Sequence, residues 1–108
     1  MNLEISYLYR DAANNKRHES VVISVRKDIT PARLEEALRQ HFSSDQLWPD
    51  ILHFRPEALG WPTGYFQNSY DHADDLDLHE VEEIALTDKS ATSSFPMNLQ
   101  VAASRLVM

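Results

Sequence analysis

The fold of this chain depends most on one stretch, NLEISYLYR at residues 2–10. Its residues alternate in character with a period of two, which is typical of a strand that buries one face. The β-branched and aromatic content of the stretch favours the same structure. We therefore predict a strand whose buried side chains are those of Leu3, Ile5, Tyr7 and Tyr9.

A second strand is expected nearby in the chain. Residues 11–19 form a polar segment, and Asn14 and Asn15 within it tolerate the left-handed backbone conformation that a turn requires. Residues 20–26 then alternate again, with three β-branched residues on one side. Consecutive strands joined by a short loop usually pair, so we predict an N-terminal β-hairpin.

One helix is predicted after the hairpin. Thr30 is a suitable N-cap, and Pro31 at the first helical position loses nothing by lacking an N–H. Leu34 and Leu38 recur at helical spacing. The helix should run to about Phe42 and pack on the hairpin.

The middle of the chain, residues 46–70, shows no sustained periodicity. Pro49 interrupts both helix and strand, although Trp48 beside it is expected in the core. Residues 56–60 have proline at the front and glycine behind, which predicts a single helical turn.

Residues 76–86 permit two interpretations. Leu76 and Leu78 alternate as in a strand, but Val81 and Ile84 then require a change of face after Val81, such as a β-bulge. Helical spacing fits Leu78, Val81 and Ala85 instead. We favour the strand.

These elements predict an α+β fold of order ββαβ, with one helix on a small three-stranded antiparallel sheet. Residues 1–88 would form the single domain, and residues 89–108 a C-terminal tail that is either a short helix or disordered. A small sheet exposes its edge strands, and an exposed edge strand can pair with that of a second copy. A homodimer formed through an edge is therefore an alternative to a monomer.

The net charge of −7 comes from one segment. Residues 71–88 hold eight acidic residues and no lysine or arginine, whereas residues 1–45 hold seven of each sign. Such a segment disfavours direct binding to a nucleic-acid backbone. The chain has no cysteine, which excludes disulfides, thiolate metal sites and cysteine nucleophiles.

The sequence also predicts a location. No stretch has the features of a signal peptide, and no apolar run approaches the ~20 residues of a membrane span. A small secreted domain often carries disulfides, so their absence favours a reducing compartment. We expect a cytoplasmic protein without a membrane partner.

Several short motifs follow one another in a distinctive order. They are YRDAAN at residues 9–14, PEALGWP at residues 56–62, an acidic stretch from Asp71 to His79-Glu80, and a strand toward Thr87-Asp88. In this order, over about residues 3–88, the chain resembles a family of small bacterial proteins without assigned function. The resemblance implies the same order of strands and helix, and it implies no activity.

The chain departs from that family's pattern at three positions. The family tends to have an aromatic residue where this chain has Asn15. It also tends to have a second histidine and a tryptophan shortly before the His-Glu pair, where this chain has Leu76 and Leu78.

An acidic and aromatic contact face is the main candidate site. Aromatic residues that carry a polar group are enriched at interfaces, and carboxylates nearby would attract a basic protein. The alternative is that the aromatic residues close a small core. The candidate partner-binding residues are Trp61, Tyr65, Phe66, Tyr70, Asp74, Asp75 and Asp77.

A metal site is the second candidate, on His72, His79 and Glu80. Imidazoles and carboxylates bind divalent cations. An EF-hand register from Asp71 fails because Leu76 stands where a glycine must turn, and His79-Glu80 is only half of a zincin helix motif. A solvated acidic loop is the alternative.

Two smaller features leave alternatives open. Arg10 and Asp11 at the end of the first strand could form an ion pair, or Arg10 could bind an anion. His18, His41 and His53 are isolated in sequence and are expected to be surface or hydrogen-bonded core residues.

Three functional hypotheses result. The first is a non-enzymatic interaction or regulatory module without a cofactor, because no catalytic motif is recognisable. The second is an acidic mimic of a polyanion that blocks a nucleic-acid-binding protein. The third is a divalent-metal-binding domain or metal-dependent enzyme.

Overall fold

The structure, a computed structural model, describes residues 1–64 and 78–106. Its sheet has four antiparallel strands where the sequence predicted three, so the α+β class is confirmed and the strand count is corrected. No helix within these ranges is long and apolar enough to cross a membrane. The elements are β1 (Asn2–Arg10), β2 (Lys16–Ile23), α1 (Pro31–His41), β3 (Leu52–Phe54), β4 (His79–Thr87) and α2 (Met97–Ser104).

The strand order in the sheet is β2-β1-β4-β3, which places β1 between two partners. The predicted alternation in β1 is confirmed, because all four of its expected core side chains are at most 1% exposed. We call the face that carries them the inner face and the opposite one the outer face. The inner-face residues of β1 are Leu3, Ile5, Tyr7 and Tyr9.

The hairpin turn between β1 and β2 contains Asn14 as predicted, but β2 begins at Lys16 and ends at Ile23, whereas the sequence predicted a strand over residues 20–26. Asn14 has a positive φ of 67°, the left-handed conformation that asparagine tolerates. Asp11 closes the turn, since its Oδ1 accepts a hydrogen bond of 2.8 Å from the Asn15 N–H.

Strand β3 was missed by sequence analysis because it has only three residues and follows soon after Pro49. Its outward edge is closed by a side chain. Gln46 Nε2 donates to the carbonyl oxygens of His53 (2.7 Å) and Phe42 (2.9 Å). Gln46 Oε1 accepts from the His53 N–H at 3.0 Å.

Strand β4 confirms the strand interpretation of this part of the chain, and it contains the expected irregularity. Ser6 pairs with Glu83, whereas the next residue, Tyr7, pairs with Val81. Glu82 is therefore the extra residue of a β-bulge. The bulge lets Val81 and Ile84 both pack against the core although they are three residues apart.

Helix α1 begins and ends where predicted. Thr30 Oγ1 accepts a 3.2 Å hydrogen bond from the Arg33 N–H, as expected of an N-cap. Phe42 follows the last helical residue and is buried. The turn at Pro56–Leu59 is a single 3-10 turn that ends on Gly60 with a φ of 77°, also as predicted.

The segment after residue 88 belongs to the packed unit. Of the two alternatives left open for it, the helix is present as α2 over Met97–Ser104. Phe95, Leu99 and Ala103 enter the same core as the sheet. Arg33 of α1 holds the end of α2, because its Nη1 donates to three backbone carbonyls there, those of Ala103, Ser104 and Leu106, at 2.9–3.2 Å.

The same segment covers part of the other sheet edge. The N–H groups of Thr92 and Ser93 both donate to the Val22 carbonyl, and Thr92 Oγ1 accepts from the Val22 N–H. Both outer strands are thus partly closed by the chain itself, which gives no support to a homodimer through these edge positions. The homodimer stays a prediction.

Replacing Gln46 with alanine should destabilise the protein by about 2 kcal/mol, because the buried N–H and C=O of His53 would lose their partners. Urea unfolding would measure the change. Gln40→Ala is the matched control, since Gln40 is exposed and its amide bonds only to Glu36 on the helix surface. Equal losses in the two variants would contradict this view of the β3 edge.

Candidate functional site

Four polar side chains lie at the paired ends of the two central strands, β1 and β4. Tyr9 and His79 are paired across β1 and β4, and both side chains lie on the inner face, fully buried, with ring centroids 5.2 Å apart. Arg10 and Glu80 lie on the outer face, where Arg10 Nε and Glu80 Oε2 are 2.9 Å apart. The sheet therefore separates the four side chains into two pairs.

Two titratable rings of the inner face, those of His79 and Tyr7, are buried and hydrogen-bonded. His79 Nε2 accepts a 2.8 Å hydrogen bond from the Gly64 N–H, and burial lowers the pKa of His79 to about 4. The Tyr7 hydroxyl donates to the Pro62 carbonyl at 2.6 Å. Burial raises the pKa of Tyr7, and the negative charge of Glu19 raises it further. Neither ring is suited to transfer a proton near neutral pH.

The candidate metal ligands do not converge within the described ranges. His79 and Glu80 are neighbours in a strand, so their side chains leave the sheet on opposite faces. His72 lies outside the described residues. Residues 1–64 and 78–106 contain no group of three or more histidine and carboxylate side chains arranged to hold a metal ion.

Trp61 is the one candidate partner-binding residue within the described residues. It is only 3% exposed, and its indole N–H donates to the Ser94 carbonyl at 2.8 Å. Its ring packs beside Phe54 and Phe95, so Trp61 helps to close the core. The other candidates, Tyr65, Phe66, Tyr70, Asp74, Asp75 and Asp77, lie outside the described residues, and their role stays a prediction.

Arg10 and Asp11 do not pair with each other. Arg10 bonds to Glu80 on β4 and to the side chain of Asn14, while Asp11 serves the turn through Asn15. The Arg10–Asp11 ion pair that the sequence suggested is therefore not formed, and Arg10 pairs instead with Glu80, which lies 70 residues away in the chain.

A groove between α1 and β4 brings together acidic residues that are distant in sequence. It has a volume of about 240 Å³. Most of its exposed lining is polar. Three apolar lining residues, the buried Leu52 and the half-buried Val81 and Ile84, are called its apolar floor. We call this feature the α1–β4 groove; it is lined by Pro31, Glu35, Arg39, Asp50, Leu52, Val81, Glu82, Glu83 and Ile84.

Four acidic residues line the groove, and their charges are not equally compensated. Glu35 lies 3.6 Å from Arg39 within α1, and Glu82 lies 2.8 Å from His18 Nδ1 of β2. Asp50 and Glu83 are exposed, and the described part of the chain offers neither of them an ion-pair partner. The groove therefore presents uncompensated negative charge beside an apolar floor.

Sequence analysis did not find this groove. The run Glu82-Glu83 beside Val81 and Ile84 was visible, and so were the acidic positions of α1. Nothing in the sequence placed Asp50 beside them, because that depends on β3 joining the sheet next to β4.

Comparisons of the chain with family models, with curated proteins and with solved structures found no match.

His79 should make stability depend on pH. Its pKa lies near 4 in the folded protein and near 6.5 when it is exposed, so the unfolded chain takes up a proton first as the pH falls. We expect the free energy of unfolding to fall between pH 6.5 and 4 by on the order of 3 kcal/mol more in the wild type than in His79→Gln. Urea unfolding across this pH range measures the difference.

The glutamine can still accept the bond from Gly64, and His41→Gln at an exposed position controls for the substitution itself. Identical pH dependence in the wild type and in His79→Gln would show that folding does not lower the pKa of His79.

Proposed function

We propose that the protein is a small non-enzymatic interaction module that binds a basic segment of a protein partner in the α1–β4 groove. The observation that carries the proposal is the pair of exposed acidic residues Asp50 and Glu83. Both line the groove with its apolar floor, and neither has an ion-pair partner among residues 1–64 and 78–106.

Lysine and arginine side chains have the chemistry that such a groove accepts. Their aliphatic stems cover apolar surface while the charged ends stay at the solvent boundary. In the groove the stems would cover Val81 and Ile84, and the charged ends would meet Asp50 and Glu83. A hydrophobic contact and a charge contact are thereby made by one side chain.

The acidic segment before β4 supports the same class of partner. Asp71, Asp74, Asp75 and Asp77 precede β4 directly in the chain and add negative charge without any lysine or arginine. Charge of one sign steers an oppositely charged partner and disfavours a nucleic acid. The proposal includes a cytoplasmic location, because the chain lacks cysteine.

The buried titratable groups of the core also favour binding over catalysis. His79 is neutral and already bonded to Gly64, and Tyr7 is protonated and already bonded to Pro62. General acid–base catalysis needs a group whose pKa lies near the working pH and that reaches the substrate.

Reversing the two uncompensated charges should weaken binding of a synthetic lysine- and arginine-rich peptide. We expect Asp50→Lys with Glu83→Lys to raise the Kd roughly tenfold, since attraction is replaced by repulsion at two exposed positions. Fluorescence anisotropy with a labelled peptide measures the Kd, and affinity should fall as salt is added.

The matched control is Glu57→Lys with Asp88→Lys, which makes the same change of net charge at exposed positions outside the groove. Thermal unfolding of both double variants checks that the fold is intact. If both double variants weaken binding equally, only the overall charge matters, and the groove is not the binding site.

A further inference from the structure

The outer face of the sheet carries a second concave feature, which the proposed function does not use. It has a volume of about 360 Å³, within the range of small-molecule sites. It lies where β1, β3 and β4 meet the segment that leads into β3. We call it the outer-face pocket; its described lining residues are Arg10, Asp11, Ala12, Trp48, Ile51, His53, Leu78 and Glu80.

His53 gives this pocket a buried ring nitrogen that no described residue bonds. The residue is 2% exposed, and its Nδ1 has no hydrogen-bond partner within residues 1–64 and 78–106. The backbone groups of His53 are occupied by Gln46, so the side chain contributes nothing to closing the β3 edge. A buried polar atom left unpaired is costly, and in a native protein it calls for an explanation such as a ligand.

Trp48 provides a flat apolar wall beside His53. The sequence predicted Trp48 in the core, but it is 55% exposed. Its ring centroid lies 5.7 Å from that of His53, with 44° between the planes. Ile51 and Leu78 extend the apolar lining. An exposed indole next to a concave apolar surface is a platform on which another ring can stack.

The charged groups of the pocket are already bound to other protein groups. Arg10 Nε and Glu80 Oε2 are 2.9 Å apart, and the side chain of Asp11 accepts from Asn15. His53 is neutral near pH 7, because burial lowers its pKa and outweighs the opposing charge of Glu80. A charged ligand would have to break an existing ion pair, whereas an uncharged ligand would not.

We propose that the outer-face pocket binds an uncharged planar ring that carries an O–H or N–H group. The ring stacks on Trp48, and its polar edge forms a hydrogen bond with Nδ1 of His53. This site is separate from the α1–β4 groove, so it goes beyond the proposed function.

Phenol and indole are suitable probes, and titration calorimetry measures their affinity. We expect both to bind at least about fivefold more tightly than toluene, which has no hydrogen-bonding group, and than benzoate and benzylammonium, which are charged. Equal affinity for toluene and phenol would overturn the assigned role of His53. No binding of any probe would overturn the site.

Substitutions at the two rings locate the site. Trp48→Ala and His53→Phe should each weaken phenol binding about two- to tenfold. Leu47→Ala is the matched control, because Leu47 is the exposed neighbour of Trp48 and does not line the pocket. His53→Phe should also keep or raise the melting temperature, since it removes the unpaired Nδ1.

If His53→Phe does not fold, the wild-type protein still decides the point. The ¹⁵N resonance of His53 Nδ1 should shift on phenol addition, and an unchanged resonance with phenol bound would overturn the assignment. If Trp48→Ala binds phenol as tightly as the wild type does, the stacking contact with Trp48 is overturned.

The ring could come from a free small molecule or from a tyrosine of a peptide. Comparison of phenol with N-acetyltyrosinamide distinguishes these sources. Equal affinity for the two probes would indicate a tyrosine of a peptide, because the pocket then admits a ring attached to a backbone. Binding of phenol alone would indicate a free small molecule. The groove variant Asp50→Lys with Glu83→Lys should bind phenol as the wild type does, so failure at one site is distinguishable from failure at the other.

Discussion

Successive side chains of a β-strand leave the sheet on opposite faces, and this constraint acting on β1 and β4 organises the molecule. β1 is hydrogen-bonded on both sides, so its register determines what lies beside it on each face. The rule sends Tyr9 and His79 into the core and Arg10 and Glu80 to the outer face. Residues adjacent in sequence therefore lie in different environments: one of each pair packs in the core, and its neighbour forms an ion pair on the outer face.

The inner face is occupied by aromatic rings, and two of them carry polar groups that are bonded to loops of the fold. Tyr7 lies at the centre, with Phe54, Trp61 and His79 at centroid distances of 5.1–6.3 Å. The hydroxyl of Tyr7 and the indole N–H of Trp61 both donate to backbone carbonyls of loops. Such bonds hold the loops onto the sheet and keep these polar groups within the core.

Both candidate sites depend on the short strand β3. On one side of the sheet, Leu52 contributes to the floor of the α1–β4 groove, and on the other side His53 lines the outer-face pocket. The two residues are neighbours, so alternation again assigns them to opposite faces. Gln46 holds this strand through the backbone of His53. The groove is acidic, whereas the pocket is apolar with its charges paired, so the two features suit ligands of different chemistry.

Local patterns determined much of the fold. Four features were predicted because each leaves a pattern in residues close in sequence. They are the alternation of residues 2–10, the N-cap Thr30, the left-handed Asn14 and the bulge after Val81. The tertiary structure alone decided the position of β3 and the packing of α2. It also decided the exposure of Trp48 and the placement of Asp50 and Glu83 along one groove. The physical reason is that a three-residue strand and a marginal helix are stable only when packed against partners far away in the chain, so their own residues carry too weak a signal.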